Sequence, residues 1–345
     1  MTSRSFKFYW IDDEGTPSLI PSKGWIDLHT ITLATDIQIP IPWILRTRAS
    51  KTVLSICTVN EEAKPVWLTI KTSGALHLNA ALGRLRSAVW AEEHLKRLEE
   101  RGLGDLFHHV TCPNCQSIID LTGKPETPQV SCQFCNTIST ITTHSDNGDE
   151  FEPQVDRNYC LCDKCGKYSN PKELGLFNFY FLVVVIGYRY RKIWMCPCCA
   201  REDALFNFLA NLPFLLGIPP SLRELCRCYF PHEDIKLFKG LDRANRRAWK
   251  GDLDGAIAGY QKILFRRPIS AGIRYNIGLA LRTQERIADA VQMYESVLED
   301  CSNFRPAAVA LMTCYHELNE SKKLAALKAQ WSGGDDGPAI DSEVN

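Results

Sequence analysis

The chain has 345 residues, which is enough for about two to four domains, and its 40 basic and 40 acidic side chains give a formal net charge of zero. That balance argues against a chain devoted to nucleic acid, although it is compatible with a local basic patch. The segment Met1–Phe6 has no apolar signal core, so we expect a cytoplasmic protein that is not exported.

Residues 1–104 have the pattern of a β-rich domain closed by an amphipathic helix. Five apolar or aromatic runs separated by turn residues predict strands over residues 6–11, 25–28, 43–45, 53–57 and 66–70. A helical pattern follows from Leu78 to Arg101, and Gly102 and Gly104 end it. This order of elements resembles a pleckstrin-homology-type domain; the alternative is another small sheet capped by a helix.

The middle of the chain contains four Cys-x-x-Cys pairs that form two successive quartets. Two intervening residues let one tight turn direct both thiolates at one point, and a second such turn completes a tetrahedral shell of four sulfurs. The predicted metal ligands are Cys112, Cys115, Cys132, Cys135, Cys162, Cys165, Cys196 and Cys199.

The first quartet lies in residues 107–142 and has a regular arrangement. A short strand over residues 117–121 follows the first knuckle, a turn over residues 122–125 reverses the chain, and residues 129–131 return to the second knuckle. We expect these two strands to pair as a hairpin. The region resembles the zinc-ribbon family, and the resemblance implies a third strand over residues 137–142.

The second quartet lies in residues 159–203 and is less regular. Gly166 follows the first knuckle and is suited to a positive φ. The apolar and aromatic stretch between the two knuckles predicts a long β hairpin, again in a zinc-ribbon-like module. Cys160 and Cys198 lie beside the quartet, which leaves open a two-metal cluster of six thiolates.

Two structural Zn²⁺ sites are the cofactors that this pattern favours. An odd count of 15 cysteines, closely paired in a long chain, fits metal-bound thiolates better than a disulfide scaffold. Iron and iron–sulfur centres use the same ligands and stay open as alternatives. Four thiolates leave no position for a water, so the pattern does not predict a hydrolytic zinc.

Two connecting segments carry further hypotheses. Residues 143–158 form an acidic linker, and residues 204–236 form an apolar helical segment broken by prolines. We expect its helix to dock on the second zinc module; an interfacial membrane segment over residues 204–218 is the alternative. A third metal site at the neighbouring Cys226, Cys228 and His232 lacks a fourth ligand nearby, so we expect the two cysteines to be buried thiols.

Residues 237–331 carry a helical repeat with a period of 34 residues. Ala256 and Tyr260 return one period later as Ala290 and Tyr294, and such small and aromatic positions allow paired helices to pack closely. The pattern resembles the tetratricopeptide family, and the tail over residues 332–345 is predicted to be disordered.

The tetratricopeptide resemblance implies a concave groove that binds a protein or peptide. The residues expected to line it are Asn245, Trp249, Tyr275, Leu279, Arg282 and His316. Chaperone-binding members clamp a C-terminal carboxylate with asparagines and cations. Asn245 and Asn276 match the two asparagines, whereas Leu241, Pro306 and Ala310 replace the cations, so that clamp is not expected.

Together these patterns predict a multidomain α+β chain. It comprises an N-terminal antiparallel β domain with a C-terminal helix, two zinc-ribbon-like β modules and C-terminal all-α tetratricopeptide-type helical repeats. The sequence contains no nucleophile–base pair, phosphate loop or paired-carboxylate signature, so we expect a non-enzymatic adaptor. The alternatives are a zinc protein that binds nucleic acid through the basic and aromatic residues 188–192, and a membrane-peripheral protein.

Overall fold

The computed structural model describes most of the chain. Its described residues are 4–12, 16–49, 52–60, 62–141, 154–156, 158–182, 185–213, 218–229 and 236–332. The chain divides into two compact units, of which the first comprises residues 1–123, 132–135 and 330–345 and the second residues 124–131 and 136–329. Most of the predicted acidic linker and all but Ser332 of the predicted tail lie outside the described residues.

The first unit is built on a seven-stranded antiparallel sheet in the order β4-β3-β2-β1-β7-β6-β5. Its strands are β1 (Arg4–Trp10), β2 (Ser22–Ile26), β3 (Thr30–Leu33), β4 (Ile37–Pro40), β5 (Ile44–Ala49), β6 (Val53–Val59) and β7 (Pro65–Lys71). β1 joins the two halves of the sheet, because Arg4–Phe8 pair with β2 whereas Tyr9–Trp10 pair with β7. The sheet agrees with the predicted antiparallel β domain; the pleckstrin-homology resemblance stays a prediction.

Strands β3 and β4 are not predicted by the sequence pattern. Each has only four residues, and their apolar side chains alternate, with Ile31 and Leu33 fully buried and Ile39 4% exposed. The turn between them contains no glycine; Ala34 instead adopts a left-handed conformation with φ 57°. Two such short strands without a glycine turn have too weak a pattern to be separated from a loop.

A long helix, α1 (Ala75–Glu100), covers the sheet, close to the predicted span. Leu78 and Leu82 are buried in the same core as Phe8, Leu54 and Ile56 of the sheet. The helix ends where Gly102 turns to φ 71° and the N–H of Leu103 donates to the carbonyl of Leu98 at 2.8 Å. This is a left-handed C-terminal cap of the kind that glycine favours.

The cysteine-rich segments between residues 109 and 169 form short hairpins. They contain β8 (His109–Thr111), β9 (Ile118–Asp120), β10 (Gln129–Ser131), β11 (Ile138–Thr140), β12 (Gln154–Val155), β13 (Cys160–Leu161) and β14 (Tyr168–Ser169). β8 pairs with β9, β10 with β11, and β13 with β14. The predicted pairing of residues 117–121 with 129–131 is therefore wrong, because each strand pairs across its own knuckle instead.

The rest of the second cysteine-rich region is a long hairpin followed by two helices. β15 (Lys172–Leu182) pairs with β16 (Val185–Met195) along their full length, as the sequence predicts. Two helices follow, α2 (Pro197–Asn211) and α3 (Ile218–Tyr229). Leu174, Met195, Ala200 and Ala204 share one buried cluster, so α2 packs on the base of the hairpin.

The C-terminal helices follow one another as three helix–turn–helix pairs, which confirms the predicted all-α repeats. They are α4 (Leu241–Trp249) and α5 (Leu253–Arg266), α6 (Ala271–Thr283) and α7 (Ile287–Asp300), and α8 (Arg305–Glu317) and α9 (Ser321–Ser332). Helix α4 packs on α5, α5 on α6, α6 on α7, and α7 on α8. The turn inside each pair holds one residue of positive φ, and these residues, Gly251, Glu285 and Asn319, lie one period apart. The 34-residue repeat of the sequence is thus a repeat of backbone conformation.

Close helix packing inside the repeats depends on residues that the period identifies. Ala256, Tyr260, Ala290 and Tyr294 are all fully buried. A Cβ atom added at Gly278 on α6 would lie 2.5 Å from Cε1 of Tyr294 on α7. The absence of a side chain at Gly278 is therefore what lets the ring of Tyr294 sit against α6.

This contact predicts opposite effects of one substitution in two backgrounds. Gly278→Ala should lower the free energy of unfolding by about 1–3 kcal/mol, because the new methyl overlaps a buried ring. In a chain that already carries Tyr294→Ala, the same change should raise it by up to about 1 kcal/mol through helix propensity. Urea unfolding followed by helical circular dichroism measures both, and equal effects in the two backgrounds would contradict the contact.

Candidate metal centres and the repeat groove

The first cysteine quartet converges on one point in the first unit. The sulfurs of Cys112 and Cys135 lie 3.7 Å apart, and those of Cys115 and Cys132 lie 3.6 Å apart. All four sulfurs lie within 4.8 Å of one another. Sulfurs placed about 2.3 Å from a tetrahedral centre are about 3.8 Å apart, so the shell has the size that Zn²⁺ requires.

Local backbone geometry produces this convergence. In the first knuckle, the N–H of Gln116 donates to the carbonyl of Cys112 at 2.8 Å, and the N–H of Cys112 donates to the carbonyl of Ser117 at 2.9 Å. The residue after the second cysteine is left-handed in three knuckles: Gln116 has φ 63°, Asn136 has φ 57° and Gly166 has φ 68°. The positive φ predicted at Gly166 is confirmed.

The thiols of the first quartet influence one another's acidity. A hydrogen bond with Cys112 lowers the pKa of Cys115 to about 7, whereas the hydrogen bond with Cys115 raises the pKa of Cys112. Ionising one sulfur thus opposes ionising its neighbours. A dication among them removes this conflict, because it stabilises all four thiolates together.

Helix α1 supports the first quartet from one side. A Cβ atom at Gly83 would lie 3.2 Å from Oγ of Ser117 and 3.3 Å from Cβ of Phe134, so the helix backbone approaches both knuckles closely. Oγ of Ser87 accepts from the N–H of Ile118 at 2.9 Å. The guanidinium of the buried Arg86 lies 5.7 Å from the ring of Phe134 and donates to the carbonyl of Leu45 on β5. The knuckles are therefore fixed to the sheet through α1.

The second quartet draws its four ligands from a knuckle and a helix. Cys162 and Cys165 lie in the turn between β13 and β14, whereas Cys196 is the N-terminal cap of α2 and Cys199 lies in its first turn. Pro197 occupies the first position of the helix, where proline is favoured. The expectation of a second ribbon-type knuckle at residues 196–199 is thus wrong, since these cysteines begin a helix instead.

The second quartet has the same dimensions as the first. The sulfurs of Cys165 and Cys196 are 3.7 Å apart, and the four sulfurs lie within 4.8 Å of one another. The N–H of Cys196 donates to the sulfur of Cys162 at 3.2 Å, and the N–H of Cys199 donates to the sulfur of Cys196 at 3.5 Å. Helix N-termini and amide donors stabilise thiolate charge, so this site also suits a cation.

Both quartets fit a metal better than a disulfide. A disulfide needs about 2.05 Å between sulfurs, and the separations of 3.6 and 3.7 Å are too long for it. None of the 15 cysteines, all of which lie in the described residues, forms a disulfide. The two four-cysteine groups could each hold a metal ion, as the sequence predicts, and the choice of Zn²⁺ rests on the chemistry of four thiolates.

The additional cysteines stay outside these shells. Within the described part of the chain, the groups of side chains close enough to hold a metal are the two quartets. Cys160 pairs through its backbone with Ser169 on β14, and Cys198 is buried in α2. Burial raises the pKa of Cys228 to about 11, which leaves its thiol protonated at neutral pH. Cys226 is exposed, and His232 lies outside the described residues.

The predicted groove residues divide into a buried and an open group. Asn245 and Tyr275 are 2% and 8% exposed, and the ring of Tyr275 packs 5.4 Å from that of Phe304. Towards the C-terminal ends of α4, α6 and α8, the side chains are accessible. Trp249 and His316 are exposed, while Leu279 and Arg282 are half-buried. The structure therefore places four of the six predicted residues where a partner has access.

The buried part of the groove holds a segment of the same chain. The N–H of Tyr168 on β14 donates to Oδ1 of Asn276 at 2.8 Å. The carbonyl of Tyr168 accepts from Nδ2 of Asn276 at 2.8 Å and from Nδ2 of Asn245 at 3.1 Å. Oδ1 of Asn245 in turn accepts from the hydroxyl of Tyr260 at 2.7 Å. The two asparagines thus bind both backbone polar groups of one residue.

The ring of Tyr168 is held as firmly as its backbone. Its hydroxyl donates to Oδ2 of Asp156 at 3.0 Å, and Asp156 forms a buried ion pair with Arg267. A Cβ atom at Gly272 on α6 would lie 2.5 Å from the ring, so the ring packs directly on the helix backbone. Asp156 is 3% exposed and belongs to this core, so the prediction that it lies in an acidic linker is wrong at this residue.

A second segment of the chain, around β10, contacts the start of α6 and the turn before α8. Oε1 of Gln129 on β10 accepts from the N–H of Ala271 at 2.9 Å. The side chain of Asn303 accepts from the N–H of Ser131 at 2.9 Å and donates to its carbonyl at 2.9 Å. The sequence pattern predicts neither these contacts nor those of Tyr168. The sequence signal for Tyr168 is the pair Asn245 and Asn276, whose side-chain amides can bind an extended backbone.

Comparisons with known proteins leave the family of the chain open. No family model matches the sequence, and no curated protein matches it. A solved structure of MamA AMB-1 aligns at 17% identity with a TM-score of 0.26, over 41% of this chain and 75% of that chain. A MamA mutant aligns at 15% identity with a TM-score of 0.27, over 39% of this chain and 98% of that chain. Scores this low carry no argument.

The alternative of an interfacial membrane segment concerns the apolar residues after the second quartet. Among the described residues, no helix combines the length and the apolar character needed to cross a bilayer. Residues 214–217 of the predicted interfacial segment lie outside the described residues, as do the side chains of the basic and aromatic residues 188–192.

The two quartets predict the metal content of the purified chain. Elemental analysis should find two zinc ions per chain, and Cys115→Ser and Cys199→Ser should each lower the content to about one, because three thiolates hold Zn²⁺ less tightly than four. Cys57→Ser is the matched control, since Cys57 is buried in the sheet domain, and it should retain two. Iron, or a content that neither ligand substitution changes, would contradict the assignment.

Proposed function

We propose that the chain is a non-enzymatic adaptor that binds a protein or peptide through the open part of its repeat groove, with Zn²⁺ in both four-cysteine sites as structural support. The observation that carries this proposal is the division of the groove. Its middle and N-terminal end are filled by the chain itself, whereas Leu279, Arg282 and His316 are accessible at the other end.

The open surface combines apolar and charged groups. Leu279 on α6 is half-buried, and Val309 on α8 is 53% exposed. Arg282 and Glu317 form an ion pair of 2.9 Å between the C-terminal ends of these helices, with side chains 35% and 38% exposed. An apolar patch beside a guanidinium is the composition that protein-binding surfaces favour, since arginine donates to carboxylates and carbonyls of a partner.

The repeats give this surface the rigidity that recognition needs. Stacked helix pairs bury a continuous core, here through Ala256, Tyr260, Ala290 and Tyr294. A surface on rigid helices loses little conformational entropy when a partner binds. The metal sites contribute stability rather than chemistry in this proposal, because a closed shell of four sulfurs offers no position for a substrate or water.

Substitutions at the open end test the adaptor proposal. Combining Arg282→Ala with His316→Ala should weaken capture of partners by about tenfold or more, because a central arginine often contributes about 2 kcal/mol or more to an interface. Quantitative affinity capture with cross-linking measures this loss. Lys322→Ala, on the outer helix α9, is the control and should leave capture unchanged. Equal capture by all three chains would exclude this surface.

A membrane-peripheral role is a second candidate, favoured by an inverted helix face. On α2, Asn207 and Asn211 are buried, whereas Leu205, Phe206 and Leu209 are 43%, 75% and 51% exposed. Polar residues inside and apolar residues outside are the reverse of a solvated helix face. Such a face suits the interfacial layer of a bilayer.

Vesicle sedimentation tests this second candidate. If the face binds lipid, combining Phe206→Ser with Leu209→Ser should release the chain from phosphatidylcholine vesicles, since removing each large apolar side chain loses about 1.5–3 kcal/mol of transfer free energy. Phe265→Ser removes an aromatic from α5 that is even more exposed, 90% against 75% for Phe206, and should not change sedimentation. A chain that stays in the supernatant with or without these changes would exclude the candidate.

A further inference from the structure

Tyr168 is coupled directly to the second metal site. It lies three residues after the ligand Cys165, and Leu161, which precedes the ligand Cys162, pairs with it across the knuckle. The N–H of Cys162 donates to the carbonyl of Lys167 at 2.9 Å, and the N–H of Gly166 donates to the carbonyl of Cys162 at 2.9 Å. The position of Tyr168 therefore follows from the closure of this knuckle.

The hairpin that carries Tyr168 has few means of closing without its ligands. β13 and β14 contain two residues each, and a hairpin this short is unstable on its own. The opposite pair of thiolates, from Cys196 and Cys199, belongs to α2 and connects to the knuckle through the sulfurs. Metal in the second site is thus the element that fixes β14 relative to the rest of the module.

The groove around Tyr168 is built to bind an extended peptide. Asn245 and Asn276 satisfy the N–H and the carbonyl of Tyr168, which any extended residue presents. The ring lies between Gly272 and the aromatic pair of Tyr159 and Phe238, whose centroids are 4.3 Å apart. The surroundings select an aromatic side chain, and the carboxylate of Asp156 accepts from its hydroxyl.

We propose that Tyr168 is a built-in ligand that the metal-loaded second site holds in the repeat groove, so that loss of this metal opens the groove to an extended, tyrosine-containing peptide. This proposal rests on the proposed function only in assigning the peptide to a partner. The displacement of Tyr168 is a property of the chain alone and is measured without any partner.

Hydrogen exchange on the full chain tests the coupling to the metal. In the zinc-loaded protein, the amide of Tyr168 is buried and bonded to Asn276, so residues 166–170 should exchange slowly. Cys199→Ser, which breaks the second site, should speed their exchange by about tenfold or more. Cys115→Ser, which breaks the first site, is the matched control and should not. Unchanged exchange in Cys199→Ser with one zinc remaining would overturn the coupling.

Peptide binding tests the groove itself. The probe is a fluorescein-labelled synthetic peptide that copies residues 165–171 with serine in place of Cys165, and a version with alanine in place of Tyr168 is its control. Zinc-loaded wild-type chain should bind the probe weakly. Tyr168→Ala empties the pocket of the ring while keeping both quartets, so the probe then competes only with the backbone of residue 168 and should bind at least about tenfold more tightly. Adding Asn276→Ala to that variant should remove the gain.

The outcomes separate the two proposals. If wild type and Tyr168→Ala bind the probe equally, Tyr168 does not block the groove and the inference fails, whatever Arg282→Ala does to partner capture. If Tyr168→Ala does not fold, the same comparison is made with wild-type chain before and after zinc removal by a chelator, followed by zinc restoration. Binding that appears on removal and disappears on restoration supports the inference, and binding independent of zinc overturns it.

Discussion

Four thiolates brought within 4.8 Å of one another are the constraint on which the second unit depends. Without a cation their charges repel, and with Zn²⁺ the same four groups contribute about 10–16 kcal/mol at peptide-scale sites. A whole domain is stable by only about 5–15 kcal/mol. In the proposed metal-loaded state, β13 and β14, which have two residues each, are held together by Cys162 and Cys165 in the turn between them.

The second quartet also affects the helical repeats, through the buried residue Tyr168. The N–H and carbonyl of Tyr168 are buried away from water, and an unpaired buried polar group costs about 1–3 kcal/mol. Asn245 and Asn276 supply the partners, and Asp156 with Arg267 supplies a buried ion pair beside them. Breaking such a pair costs about 3–5 kcal/mol, because one charge is left unpaired. The knuckle that carries Tyr168 and the helices that carry Asn245 and Asn276 thus satisfy each other's buried polar groups.

The sequence predicts those features that follow from the spacing of residues along the chain. The repeats follow from Ala256 and Tyr260 returning as Ala290 and Tyr294, and the two four-cysteine groups follow from the Cys-x-x-Cys spacing. The pairing of β9 with β8 across its own knuckle could not be read, because residues 129–131 fit the hairpin pattern equally well. The helix at Cys196 had one signal, Pro197 at its first position. Tyr168 and Asn276 are 108 residues apart, and no periodic pattern records such a contact.

The strengths of these interactions decide whether Tyr168 or a competing peptide occupies the groove. The three hydrogen bonds between Tyr168 and the two asparagines contribute about 0.5–1.5 kcal/mol each, far less than the metal. A competing peptide gains similar bonds but also loses translational and rotational freedom, which the tethered Tyr168 has already lost. While the knuckle is closed, the tethered residue therefore has the advantage. Access to this part of the groove is decided by the sulfurs of the second quartet, whereas the end near Arg282 and His316 stays open in either state.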